Sequence, residues 1–280
     1  MTKNTFPVSK AVPLIAIPAN IPQIGFLGGD EGEEINDSIR KDYKKFDVLQ
    51  VGKYKDGIIK GSNPFYGVAV QNRLPSNYRV ASQADVESAM GVGVFDFRGT
   101  YEDTGLVLRT EGEPNSYLAR HLMTQVKGRG FNKMPVMIPL NGLELVEDKN
   151  SNHGLSFKLK ENAEVIYAPI LNKGGNFSNE DIDAKTGLPS KLGNGNRTLY
   201  TRDSGLSRLC LGGILNLGSY DDYLANSNDS SRVVLVSTGE AGSQNFLNER
   251  LAELQTEEDA RIAEIKSLYA QAKELVKGKK

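Results

Sequence analysis

The sequence predicts a mixed α+β domain followed by an added C-terminal helix. Three observations carry this. Short strand-like runs bounded by Gly, Asn, Asp and Ser recur along the chain, with amphipathic helical segments set among them. Residues 207–237, "SRLCLGGILNLGSYDDYLANSNDSSRVVLVS", hold leucine at 209, 211, 215 and 217 with unlike residues between. From 246 to 277 the apolar spacing becomes 4-3, through Leu247, Leu251, Leu254, Ile265, Leu268, Ala272 and Leu275, with Glu258 and Arg261 in two interior slots.

The bulk properties bound the function. A chain of 280 residues suffices for one large domain or two ordinary ones. The net charge of -1 favours neither nucleic acid nor an anionic membrane as partner. No apolar run reaches the length of a membrane span. The single cysteine, Cys210, excludes an intrachain disulfide. The apolar N-terminus is broken by Pro7, Pro13, Pro18 and Pro22, which disfavours the helix of a signal peptide. Residues 1–24 are therefore read as an extended arm, 25–245 as one domain and 246–280 as the C-terminal helix. Cell surface, virion and cytoplasm all stay open as locations.

The elements follow in order. "GFLGGDEGEEIND" lacks the lysine of a P-loop and reads as ordinary loop, with a short helix after it in "EEINDSIRKDYKKF". "DVLQVGKYKDGIIKG" predicts a hairpin turning at Asp56-Gly57. "RVASQADVESAM" predicts a helix capped by Ser82, with Val86 and Met90 on one face. Residues 91–110 read as strand, turn and strand; Gly91 and Gly93 lead into a strand, the wrong context for a dinucleotide fingerprint. The helix over 115–130 has Asn115 or Ser116 as cap, Leu118, Leu122 and Val126 as its apolar stripe, and Gly128 or Gly130 as its stop. Residues 134–146 and 155–171 supply further strands, and 172–205 a long polar loop.

The chemistry of an enzyme is thin. The two histidines, His121 and His153, fall on a helix and in a polar loop, and no local motif joins either to Cys210. There are too few Cys and His for a zinc site, and the carboxylates at 30–34 and 221–222 lack EF-hand spacing. No G-x-S-x-G or Walker motif occurs. The expectation is a protein without catalytic residues, metal or cofactor.

On a strand the odd positions 209–217 form one face, which leucine makes buried. The even positions should then point outward, with "GSYDDYLANSND" as a loop anchored by Leu224 and Ala225 and Val233–Val236 as a second, buried strand. The outward residues are Cys, Gly, Ile, Asn, Ser, Tyr and Asp. Each can be written with a codon that differs from AAC only in its first two bases. Randomised adenines in an AAC template would produce this set.

With its fixed frame (Ser207-Arg208-Leu209, Leu211, Leu215, Leu217, Leu224-Ala225 and Arg232-Val233-Val234), the stretch resembles the variable region of a target protein of a diversity-generating retroelement. The resemblance implies a C-type lectin-like fold of the formylglycine-generating-enzyme subtype, whose variable residues form a ligand-binding surface on a constant scaffold. Carried onto this chain, the variable region is 207–232. Its binding residues are Cys210, Gly212, Gly213, Ile214, Asn216, Gly218, Tyr220, Asp222, Tyr223, Asn226, Asn228, Ser230 and Ser231. It implies binding rather than catalysis, to a protein or other cell-surface ligand. Here about forty residues follow the variable region, where the family's chains usually end. Residues 246–277 are the candidate contact of a homo-oligomer. The alternative is a structural or assembly protein of a virion, with the proline-rich arm and terminal helix as its inter-subunit contacts. Tyr, Ser, Gly and Asn also dominate antibody paratopes, where tyrosine gives rigid contact area and the small polar residues adapt.

Overall fold

The computed structural model describes residues 23–237 apart from 92 and 94, together with residues 262, 265 and 266. Residues 23–237 belong to one unit. The proposed arm lies outside the described residues but for its last two positions, as does the C-terminal segment except Ile262, Ile265 and Lys266, which are helical. Among the described residues no helix is long and apolar enough to cross a membrane.

The unit is α+β, with fifteen strands and four α-helices in residues 23–237. It opens with β1 (Gln23–Phe26), which leads into α1 (Gly29–Asp42). The acidic stretch read as loop is the first turn of that helix. Asp30 and Glu31 meet its positive end, and Arg40 and Lys41 its negative end. The hairpin of β2 (Lys53–Lys55) and β3 (Ile58–Lys60) turns where expected, with Asp56 and Gly57 both left-handed, at φ 56° and 83°.

Helix α2 (Pro64–Gln71) has no counterpart in the sequence reading. Phe65, Tyr66, Val68, Ala69 and Val70 are all buried, so no polar face marks a helical period. Its start is nevertheless signalled: Asn63 Oδ1 accepts from the Tyr66 amide at 2.8 Å, and Pro64 follows the cap. After β4 (Tyr78–Val80) comes α3 (Gln83–Gly91), entered through Ser82 as predicted. Among the described residues of 91–100 none belongs to the first strand expected there. Phe95 and Phe97 are instead buried beside Phe26 in an edge-on ring cluster, and only β5 (Tyr101–Leu108) enters a sheet.

Helix α4 (Ser116–Gly128) buries Leu118, Leu122 and Val126 as expected. Strands β6 (Val136–Pro139), β7 (Leu143–Glu147), β8 (Leu155–Leu159) and β9 (Ile166–Tyr167) follow. The segment read as a long loop contributes β10 (Gly175–Phe177) and β11 (Arg197–Tyr200). The chain then forms β12 (Leu206–Leu211), β13 (Leu217–Gly218), β14 (Ser231–Arg232) and β15 (Val234–Ser237).

Strand β5 organises the main sheet. Along one edge it pairs antiparallel with β12. Its other edge is divided: Gly105–Leu108 pair with β6, and Tyr101 and Glu102 pair in parallel with β14. The frame of the leucine-rich stretch therefore flanks β5 on both sides. Helices α2 and α4 pack Phe65, Val68, Leu118 and Leu122 onto Leu106, Leu108, Ile138 and Phe157 to form the main core.

A candidate ligand-binding surface

The leucine-rich run is not one strand. Strand β12 ends at Leu211, the chain turns through 212–216, and β13 returns beside it with Cys210 opposite Gly218 and Leu211 opposite Leu217. Leu215 sits in the turn at φ 66°. All six residues of β12 are buried, so both of its faces are covered. This overturns the expectation that the alternate positions point outward. Cys210, Asn216, Gly218 and Ser231 are buried, and each serves the fold.

Their roles are specific. Cys210 is 1% exposed, with its sulfur 2.8 Å from Tyr101 Oη, and burial pushes its thiol up to about 12. That is an inert thiol rather than a nucleophile. Asn216 Oδ1 accepts from the Thr198 amide at 2.7 Å, and Ser231 Oγ accepts from the Ser62 amide at 2.7 Å. A Cβ at Gly218 would stand 2.9 Å from Cys210 Sγ. Gly218→Ala is thus expected to destabilise by about 1–3 kcal/mol, and by less in a Cys210→Ala background. Denaturant melts of the four proteins measure that coupling.

The remaining predicted residues lie on a polar loop. Ile214 is 75% exposed, Tyr223 67% and Tyr220 52%, and Asn226 and Asn228 are exposed as well. Gly212, Gly213, Asp222 and Ser230 are half-buried. Asp222 stands 3.4 Å from Arg202, and Asn228 Oδ1 accepts from the Ser230 amide in a local turn. Leu224 is buried, as expected of the anchor.

What shapes this loop is its main chain. Six of its carbonyls, from Leu215 to Asn226, accept from side chains of the frame or of distant elements. Arg197 Nε donates to Leu215 O at 2.6 Å, and Ser207 Oγ and Arg109 Nη2 donate to Ser219 O at 2.7 and 3.0 Å. Arg202 donates to Tyr220 O at 2.8 Å, and Asn115 Nδ2 to Asp222 O at 2.9 Å. Asn63 Nδ2 reaches Ala225 O at 3.0 Å, and Arg208 Nη1 reaches Asn226 O at 3.2 Å. Asn115 occupies the cap position of α4 at φ 59° and makes no side-chain cap bond; its Nδ2 donates instead to Leu206 O and Asp222 O.

Buried ion pairs hold the donors. Arg208 meets Asp103 through bonds of 2.7 and 2.6 Å, at 4% and 1% side-chain exposure. Arg197 grips both oxygens of Glu87, at 2.7 and 2.6 Å. Arg232 gives Nε and Nη2 to one oxygen of Glu102, at 2.9 and 2.6 Å, and lies 3.9 Å from the centre of the Phe26 ring. Among the described residues Arg109 donates to no carboxylate, and burial lowers its pKa to about 10. Arg208 and Arg232 belong to the expected frame and Asn115 was expected only as a helix cap; Arg109, Arg197, Asn63 and Thr198 were absent from the residues expected to matter. The adjacent charges Glu102-Asp103 inside an apolar strand were the available signal, since carboxylates on a buried strand demand buried cations.

Among the described residues the other oxygen of Glu102 is buried without a hydrogen-bond partner, and burial pushes this carboxyl up to about 7 against the pull of Arg232. The folded protein therefore holds a proton there that the unfolded chain releases near 4.5. Glu102 should make stability fall as pH rises from about 4.5 to about 7, by roughly 3 kcal/mol in all. His153, whose pKa burial lowers, acts in the opposite direction below its ordinary 6.5. Denaturant melts between pH 4.5 and 8 should show that negative slope in the wild type relative to Glu102→Gln; equal slopes would contradict it.

The histidines stay apart in role. His121 stacks on Tyr117, and His153 packs edge-on against Phe65. Among the described residues no three His, Cys, Asp or Glu side chains are grouped as metal ligands would be. No family model, no curated protein and no solved structure matches this chain.

Proposed function

We propose that this chain is a non-enzymatic ligand-binding protein that displays a hypervariable surface from its 207–232 segment. We propose further that the segment is the variable region of a retroelement target protein, diversified by templated adenine mutagenesis on a C-type lectin-like scaffold. The observation that carries the reading is the way the loop is held. Its course is set through main-chain carbonyls, which every residue type possesses, by Arg109, Arg197, Arg202, Arg208, Asn63 and Asn115. Exposed side chains such as Ile214, Tyr220, Tyr223 and Asn226 can then change without redrawing the backbone. The ligand in this reading is a protein or another cell-surface molecule.

The display surface so defined is narrower than the alternation of the sequence suggested. It comprises Gly212, Gly213, Ile214, Tyr220, Asp222, Tyr223, Asn226, Asn228 and Ser230. Sequencing the gene across one population tests it. Amino-acid differences should concentrate at these positions, in codons ending in C. Uniform or purely synonymous variation would overturn the reading.

A further inference from the structure

The sequence holds two Asn-Gly pairs, Asn141-Gly142 and Asn194-Gly195. The fold treats them differently. Asn141 is half-buried and its Nδ2 donates to Val80 O at 3.3 Å, while Gly142 is buried and its carbonyl accepts from the Lys160 amide at 2.9 Å. Asn194 and Gly195 are both exposed, in the connection between β10 and β11. Among the described residues neither the Asn194 side chain nor the Gly195 amide has a hydrogen-bond partner. The chain is nevertheless pinned on either side of them. The Gly193 amide donates to Asn176 O at 2.8 Å, and Arg197 pairs with Phe177 in the ladder. Packing also demands the glycine, since a Cβ at residue 195 would overlap the main-chain carbonyl of Phe177.

We propose that Asn194 is a site of spontaneous covalent modification, at which deamidation inserts isoaspartate ahead of β11 and loosens the hold of Arg197 on the 212–216 turn. The Gly195 nitrogen attacks Asn194 Cγ. The Cγ–Nδ2 bond breaks, and ammonia leaves with the proton that the attacking nitrogen loses. The five-membered imide so formed takes up one water. Opening on the side-chain side gives aspartate; opening on the main-chain side gives isoaspartate, whose chain runs through Cβ and Cγ. Nothing is oxidised or reduced, and water is the only co-reactant. Glycine permits the attack because it has no Cβ to keep its nitrogen from the neighbouring side chain. The packing that excludes every other residue at 195 therefore also makes Asn194 labile.

The consequence follows from the position. Aspartate adds one charge at an exposed residue and disturbs little. Isoaspartate adds an atom to the main chain between the Gly193 pin and β11. Arg197 stands three residues on and has no slack. It donates to both oxygens of Glu87, to Asn179 Oδ1 at 3.1 Å and to Leu215 O at 2.6 Å. A chain lengthened just before it shifts that guanidinium, and the buried bonds to Glu87 leave the single tether to Leu215 O as the contact most easily lost.

The full chain is aged in mildly alkaline buffer and then digested with trypsin in mild acid, where deamidation is slow. Cleavage after Lys191 and Arg197 releases residues 192–197 for mass spectrometry, and isoaspartyl methyltransferase labels the isoaspartate. Conversion at Asn194 should outrun that at Asn141 by about tenfold or more, because Asn141 reacts only when the fold opens locally. No conversion at Asn194, a rate no greater than at Asn141, or a product without isoaspartate overturns the proposal. Hydrogen exchange then reads the consequence. The isoaspartate-bearing fraction, separated by its charge, should exchange the amides of 212–216 about tenfold faster than fresh protein. Aged Asn194→Ala, which cannot form the imide, and freshly prepared Asn194→Asp, which has the charge without the extra atom, should both match fresh wild type. Unchanged exchange in the isoaspartate fraction overturns the link to Arg197. Equally fast exchange in Asn194→Asp overturns it too, since charge and not chain length would then be acting.

Discussion

Arg208→Met is expected to lower stability by about 3–5 kcal/mol, a large share of what a domain possesses. Methionine fills the same channel but carries no charge. It leaves Asp103, fully buried on β5, with its carboxylate facing no cation. Burial already raises the Asp103 pKa, and the guanidinium is the chief force opposing that rise. Without it the rise goes unopposed and the carboxyl binds its proton more tightly, so stability falls as pH rises through its raised pKa. The same substitution frees Asn226 O and weakens the contact with Asp221, so the loop loses one of its ties. Asp103→Asn in the Arg208→Met background should recover part of the loss, because no buried charge then remains. Denaturant melts of the single and double variants decide this. A loss under about 1 kcal/mol for Arg208→Met would show that the pair does not secure the sheet.

Arg197→Leu should cost a similar amount, about 3–5 kcal/mol, for the same reason at a different place. Glu87 lies at 6% side-chain exposure and would keep only the bond from Gln83. The consequence for the surface differs. Arg197 is the tether of Leu215 O, and Leu215 holds a left-handed conformation that costs a non-glycine residue roughly 1–2 kcal/mol. Once the tether is gone that cost favours an altered turn. Backbone amides of 212–216 should therefore exchange with solvent much faster in this variant, while those of α4 keep their protection. Exchange that rises uniformly across the domain would argue against a local role for the arginine.

Part of this was readable in the sequence. The Asp56-Gly57 hairpin and the α4 stripe follow from short-range rules, and both formed where expected. Helix α2 escaped because every face of it is buried, and a period needs a polar face to be seen. Strands β10 and β11 escaped because they are three and four residues long inside a Gly- and Asn-rich segment. Of the leucines read as one buried face, Leu209, Leu211 and Leu217 are buried but Leu215 is half-buried in the turn between two strands, and the opposite face was misjudged. Whether that side of β12 meets water depends on Tyr101, Asp103 and Asp221, which tertiary pairing brings together. The tethers to carbonyls were the least visible feature, since a main-chain acceptor leaves no mark in a sequence.

The central claim is that the loop owes its shape to its main chain and not to its displayed side chains. Replacing Gly213, Ile214, Tyr220, Tyr223 and Asn226 together, by Ser, Asn, Ser, Asn and Tyr, tests it most directly. A crystal structure and a thermal melt of that fivefold variant are the measurement. The expected result is a loop backbone that superimposes on the present one, with all six tethered carbonyls still paired. The stability change should stay under about 2.5 kcal/mol, since each of the five surface changes contributes at most about 0.5. A redrawn loop with those bonds broken, or a domain that no longer folds, would contradict the claim.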